Sequence, residues 1–278
     1  MPDTAPPLMK ELLVVIPHSG IVIPAEISLD SLSDQFPELA RNVDWYTNWL
    51  YDFRDLLGNR HLVFPYCSLI LEANRRPDRV DDCVPLRDVH GRPVYRVGRE
   101  PGRDLRLRLV EKYLRSFHRS IEDQIASGAE CLLDGHSTVS ARGMKDDQID
   151  IMNFQHSALD DGPIRFSPPA YAEAYADELR KRLPDVRITV NASDYHDVYG
   201  HVAAAHSVNA AGRRGTRVPA IIQETNERLY KNPDRTPNVE AVNRLRKAFA
   251  LALAAAWRRT RPQPEGVVSA PGGKRSSG

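Results

Sequence analysis

Two histidines in this chain stand where strand-like apolar runs give way to turns. His18 follows Leu12-Leu13-Val14-Val15-Ile16 in Pro17-His18-Ser19-Gly20, and His136 follows Cys131-Leu132-Leu133 in Asp134-Gly135-His136-Ser137. Neutral imidazole is a frequent zinc ligand, and a catalytic zinc takes three protein ligands while keeping one position for water. A third, acidic ligand must then lie close. Asp44, in Asn42-Val43-Asp44-Trp45, and Glu26, shortly after the first turn, are the candidates. Asp134 is placed to orient His136 from behind. Glu224 comes just after a third apolar run, Ala220-Ile221-Ile222, followed by Gln223, so its carboxylate is expected to be partly desolvated. Desolvation raises a carboxyl pKa toward the range useful for moving protons. Beside a zinc site, such a glutamate suits amide hydrolysis: it takes a proton from water and hands it to the leaving nitrogen.

A fourth run, Ser68-Leu69-Ile70-Leu71, leads into Glu72-Ala73-Asn74-Arg75-Arg76. A guanidinium can grip a carboxylate through two parallel hydrogen bonds. Asn74 and Arg75 are the expected substrate contacts because they directly follow the run, with Arg76 as the next choice. A rival set, His196, His201 and His206, has a five-residue spacing that does not share one helix face, so this segment is expected to be a substrate loop. His118 sits beside an apolar helical stripe and is read as a core or pocket-edge histidine. The phosphate-loop, dinucleotide, HExxH and GxSxG patterns are absent.

Short apolar runs separated by helical segments predict buried strands of a mostly parallel sheet. Ligands bind beyond the carboxyl ends of such strands, which would bring the four run ends to one rim. Strands are expected at 12–16, 61–64, 68–71, from Cys131, at 149–154, at 186–190 and from Ala220. Helices are expected at 37–57, from Asp104 as N-cap to about Gly128, at 169–182 and at 237–259. Residues 74–102 hold four prolines and read as a binding loop; 191–215 reads as a second loop.

The 278 residues suit one α/β domain, with residues 1–10 as an extension and 261–278 as a disordered tail rich in Pro, Gly, Ser and Lys. With 38 basic against 37 acidic residues, nothing favours nucleic acid or an anionic membrane as partner. The first ten residues show no secretory pattern and no run is long enough to span a membrane. Cys67, Cys83 and Cys131 form neither a disulfide framework nor a metal knuckle, so reduced thiols and a cytoplasmic location are expected.

The ordered set Pro-His-Ser-Gly, Val-Asp-Trp, Asn-Arg, Asp-Gly-His-Ser and Gln-Glu resembles the N-formylglutamate amidohydrolase family over roughly residues 11–260. The resemblance implies a phosphorylase/hydrolase-like fold, shared with metallocarboxypeptidases and aspartoacylases, with one catalytic zinc. It implies His18 and His136 as ligands, Asn74 and Arg75 at the substrate carboxylate or the developing oxyanion, and Glu224 as the catalytic glutamate. The wider group usually draws its acidic ligand from an HxxE motif, yet Ile21 stands three residues after His18. Asp44 is therefore preferred over Glu26, because its Asp-Trp context matches the family. The implied substrate is a small N-acyl amino acid, above all N-formyl-L-glutamate. A carboxypeptidase- or cell-wall-type amidase and a non-catalytic binding protein are the alternatives; the last requires that His18, His136 or Glu224 fail to converge.

Overall fold

The computed structural model describes residues 8–156, 163–198, 200–207 and 218–261; the expected tail beyond residue 261 lies outside them. The strands are β1 (Leu12–Ile16), β2 (Arg60–Val63), β3 (Cys131–Thr138), β4 (Gln148–Met152), β5 (Phe154–His156), β6 (Pro163–Arg165), β7 (Arg187–Val190) and β8 (Ala220–Asn226). Six of them form one sheet in the order β2-β1-β3-β8-β4-β7, while β5 and β6 make a separate hairpin. β2, β1, β3 and β8 run parallel, and β4 enters antiparallel to β8. This is the expected α/β architecture with a mostly parallel mixed sheet flanked by helices.

Strand alternation builds a core on each face. Leu12, Val14 and Ile16 of β1 pack on one side, and Leu13 and Val15 on the other. All five are fully buried, as continuous apolar strands covered on both faces require. Short helices α1 (Phe36–Leu39), α2 (Thr47–Leu50), α3 (Arg54–Leu57) and α4 (Val80–Cys83) precede the longer α5 (Arg103–Leu109) and α6 (Arg115–Ala126). A π turn, Val110–Leu114, joins the last two. Then follow α7 (Pro169–Arg182), α8 (His201–His206) and α9 (Val239–Thr260). Helices α7 and α9 cover the first face; α6 and α8 cover the second.

Four expectations change. The run at 68–71 is a turn, although Ile70 and Leu71 are fully buried: a short apolar run shows burial but not an extended backbone. The helix expected at 37–57 is broken into α1, α2 and α3, with Asp44 in an unwound stretch and Tyr46 in the left-handed region at φ 69°. The apolar spacing still holds, since Leu39, Val43, Leu50 and Phe53 are all buried; the break is what lets Asp44 reach the sheet. Gly102, not Asp104, caps α5. The loop expected at 191–215 contains a 3-10 turn (Asp194–Asp197) and α8, with 208–217 outside the described residues.

Gly20 closes the turn after β1 against the backbone of Phe64 and Pro65. A Cβ there would lie 2.3 Å from the Pro65 carbonyl carbon. Backbone cannot rotate away as a side chain can, so Gly20→Ala should destabilise the fold by at least the ~1–3 kcal/mol typical of overpacking. Chemical denaturation with an unchanged midpoint would show that this close approach is not required.

Candidate active site

The register of two neighbouring strands sets the centre of the site. His136 of β3 pairs with Glu224 of β8, and Asp134 pairs with Ile222. Leu132 and Ile222 belong to the second core, so by alternation Asp134, His136 and Glu224 share that face. His18 arrives from the turn after β1, the neighbour of β3 on its other side. Its Nδ1 lies 3.2 Å from His136 Nδ1. Asp44 Oδ2 is 3.7 Å from the first nitrogen and 3.6 Å from the second, and is held by the backbone N–H of Ser137 at 3.0 Å.

The far nitrogen of each ring faces a carboxylate. His18 Nε2 is 2.6 Å from Glu72 Oε1, and His136 Nε2 is 2.9 Å from Asp134 Oδ1. Burial alone would lower both histidines, but the Glu72 charge and the Asp44 contact raise His18 to about 9. Asp134, Asp44 and Glu224 likewise raise His136 well above its usual value. Burial opposes ionisation of Asp44, yet its hydrogen bonds to His136 and His18 hold it well below the usual carboxylate range. Glu72 behaves alike: the His18 and Arg75 charges outweigh burial and bring it to about 2. Glu224 is the exception. Burial dominates and lifts it to about 8, with Asp44 and Asp134 adding to the rise. Its Oε2 is buried with no hydrogen-bond partner among the described residues.

A sequence profile of the N-formylglutamate amidohydrolase family matches residues 10–231. The chain belongs to this family. An N-formylglutamate deformylase of Pseudomonas aeruginosa is 27% identical over an alignment 138 residues long that covers 45% of this chain and 51% of that protein; the match thus spans about half the length of this curated relative. The crystal structure of an N-formylglutamate amidohydrolase from Ralstonia eutropha JMP134 has a TM-score of 0.69 at 20% identity, covering 92% of this chain and 97% of the other. A gene product of Agrobacterium tumefaciens follows with a TM-score of 0.58 at 15% identity, over 89% and 92% of the two chains. These two structures share the fold.

The residues expected to form the site come together in a cavity of about 1150 Å³ lined by His18, Asp44, Asn74, Arg75, His136 and Glu224, among others. His18, Asp44 and His136 form a group able to hold a metal ion, their donor atoms all within 4.8 Å of one another. Donors 2.0–2.1 Å from a tetrahedral zinc stand about 3.3–3.4 Å apart, so the observed triangle fits such an ion. Carboxylates on both Nε2 atoms would keep the Nδ1 lone pairs turned inward. Glu26 does not join them: it is held at the surface by Lys112 and Tyr113.

Arg75 reaches the cavity and donates to its neighbour's carbonyl, Asn74 O, at 3.0 Å. Asn74 accepts from the Val202 N–H and turns its amide to His136 Nε2 at 3.2 Å. Arg76 forks onto Asp78 and is not among the residues lining the cavity. His118 is buried: its Nε2 meets the Ala73 carbonyl and its Nδ1 meets His206. His201 packs edge-on against it, so both members of the rival set whose side chains are described flank the Asn74 turn from outside the cavity. The member of this cluster that the sequence analysis does not single out is Glu72, which meets His18 Nε2. Its signal was the acid directly after a buried run, with the Asn-Arg pair two residues on.

In the cation-free protein at pH 7, both histidines carry protons because their pKa values are raised. A cation at the Nδ1 atoms must displace them, so affinity should climb with pH until His18 has titrated near 9. Calorimetry of zinc binding in buffers of different ionisation enthalpy should find about two protons released per ion at pH 7; binding without release would contradict the assignment.

Proposed function

We propose that this chain hydrolyses the amide of a small N-acyl amino acid, converting N-formyl-L-glutamate to formate and L-glutamate. The observation that carries the reading is the register pair His136–Glu224: it sets a carboxyl raised to about 8 beside the two-histidine, one-aspartate cluster in one cavity. The name of the Pseudomonas relative, an N-formylglutamate deformylase, agrees with it.

His18, His136 and Asp44 would hold one divalent cation, and two imidazoles with one carboxylate suit zinc. When bound, such an ion supplies Lewis acidity to the amide carbonyl and acidifies water. The chain's own residues account for the proton and the substrate. Glu224 accepts a proton from water as its oxygen adds to the carbonyl carbon, then delivers that proton to the departing nitrogen as the C–N bond breaks. A carboxyl that titrates near neutrality can both take and return a proton. Asp134, facing Nε2, orients the His136 ring, and Asn74 and Arg75 meet a substrate carboxylate. The buried free thiols accord with a cytoplasmic enzyme, and no helix among the described residues is long and apolar enough to cross a membrane.

The cavity volume favours a second reading. At about 1150 Å³ it exceeds the usual span for small-ligand sites, about 300–1000 Å³, which leaves room for the peptide of a carboxypeptidase- or cell-wall-type amidase. Relative kcat/KM for N-formyl-L-glutamate and an N-acyl peptide decides between them.

Glu224→Gln keeps the shape but cannot carry the proton. Its kcat should fall at least about a hundredfold, the lower end for general acid–base groups, with bound metal and thermal midpoint unchanged. Wild-type turnover in this variant would remove Glu224 from the mechanism, and loss of metal would make it a ligand instead.

A further inference from the structure

Among the arginines that line the cavity, Arg142 differs from the rest. Arg87 donates to Gly91 O, Arg106 pairs with Asp81, and Arg235 donates to Arg41 O. The Arg142 guanidinium has no hydrogen-bond acceptor and no carboxylate among the described residues; it lies over the Tyr195 ring, 5.8 Å from its centroid.

Its placement is built. Arg142 takes φ 48° and Gly143 follows at φ 80°, so the turn after β3 passes through two left-handed residues. For a residue with a side chain that conformation costs free energy and persists only where the surroundings impose it. Here the Asp194 N–H donates to Arg142 O at 2.8 Å. The segment that supplies this bond is itself fixed by Asp150 of β4. The fully buried Asp150 carboxylate accepts from Thr189 Oγ1 at 2.7 Å, Ala192 N at 3.2 Å, Ser193 N at 2.9 Å and Ser193 Oγ at 2.6 Å. Tyr195, next along, hydrogen-bonds through its hydroxyl to Thr138 Oγ1 at the end of β3. A buried acid thus anchors a segment whose backbone and aromatic ring both hold one strained arginine at the cavity wall.

We propose that Arg142, seated on Tyr195, is the specificity residue that binds a side-chain carboxylate of the substrate and so selects acidic N-acyl amino acids over neutral ones. The inference rests on the reading of the site as an N-acyl amino acid hydrolase. A substrate with two carboxylates needs two cationic contacts, and Arg75 supplies only one. A guanidinium without an internal counter-ion offers its full set of donors to an incoming carboxylate, and stacking on an aromatic face limits the freedom it loses on binding.

The test compares L-glutamate with L-glutamine, equal in shape but differing in side-chain charge. Calorimetric titrations of both into zinc-loaded wild type and Arg142→Gln are run beside kcat/KM for the two N-formyl derivatives. Loss of one charge-assisted hydrogen bond is worth roughly tenfold or more, so Arg142→Gln should bind L-glutamate at least that much more weakly and L-glutamine unchanged, with kcat/KM following the same split. Equal weakening of both ligands would make Arg142 structural and overturn the proposal, as would unchanged L-glutamate binding or a wild type that binds neither. If L-glutamate binding depends on Arg142 while wild type does not hydrolyse N-formyl-L-glutamate, the specificity assignment stands and the proposed reaction falls.

Discussion

The 3.2 Å between the Nδ1 atoms of His18 and His136 is the contact on which the site depends. Two inward lone pairs at that distance repel, and so do two inward N–H groups. A single positive centre between them relieves both conflicts. The surroundings press toward the same solution: Asp44 closes the triangle, while Glu72 and Asp134 each face one outer nitrogen. In a buried cleft these charges are poorly screened, which is why both imidazoles hold protons so firmly and why the same atoms suit a divalent cation. Glu224, which neither pairs with a cation side chain nor escapes burial, is the one carboxyl pushed the other way.

The fold maintains that contact from behind. Tyr51 projects from the opposite core and its hydroxyl donates to the His136 carbonyl at 2.8 Å, with Gln223 O at 3.3 Å and Thr225 Oγ1 at 2.8 Å. One phenol therefore ties the ends of β3 and β8 together at the residues that flank the His136–Glu224 pair. Gly135 leaves room for it: a Cβ there would sit 2.7 Å from the Tyr51 ring. On the other face, His118 holds the Ala73 carbonyl and α8 holds the Asn74 carbonyl through the His201 N–H at 3.0 Å, so the Asn74–Arg75 turn is braced although it belongs to no strand.

Much of this was legible in the residues. The runs before His18, His136 and Glu224 are strands because consecutive apolar positions in each need burial on two faces, and parallel topology sends their ends to one rim. Asp44 stands beside Glu26 as a candidate from the residues and is preferred only through its Asp-Trp context, since apolar spacing across 37–57 is equally satisfied by one long helix and by three short ones. Glu72 lies far from His18 in sequence: its contact spans 54 residues, and the local mark is only its place directly after a buried run. Arg142 carries no signal of its own, because what holds it is a buried aspartate on another strand. Long-range hydrogen bonds of this kind arise from tertiary packing and leave no periodicity to read.

The cluster of His18, Asp44 and His136 should hold one divalent cation. Crystals of the zinc-loaded protein, measured on both sides of the zinc absorption edge, test it directly. A single anomalous peak is expected, enclosed by the two Nδ1 atoms and Asp44 Oδ2, with Glu72 and Asp134 on the outer nitrogens. A peak elsewhere, at the buried His118–His206 pair for example, or a site that stays empty at saturating zinc, would contradict it.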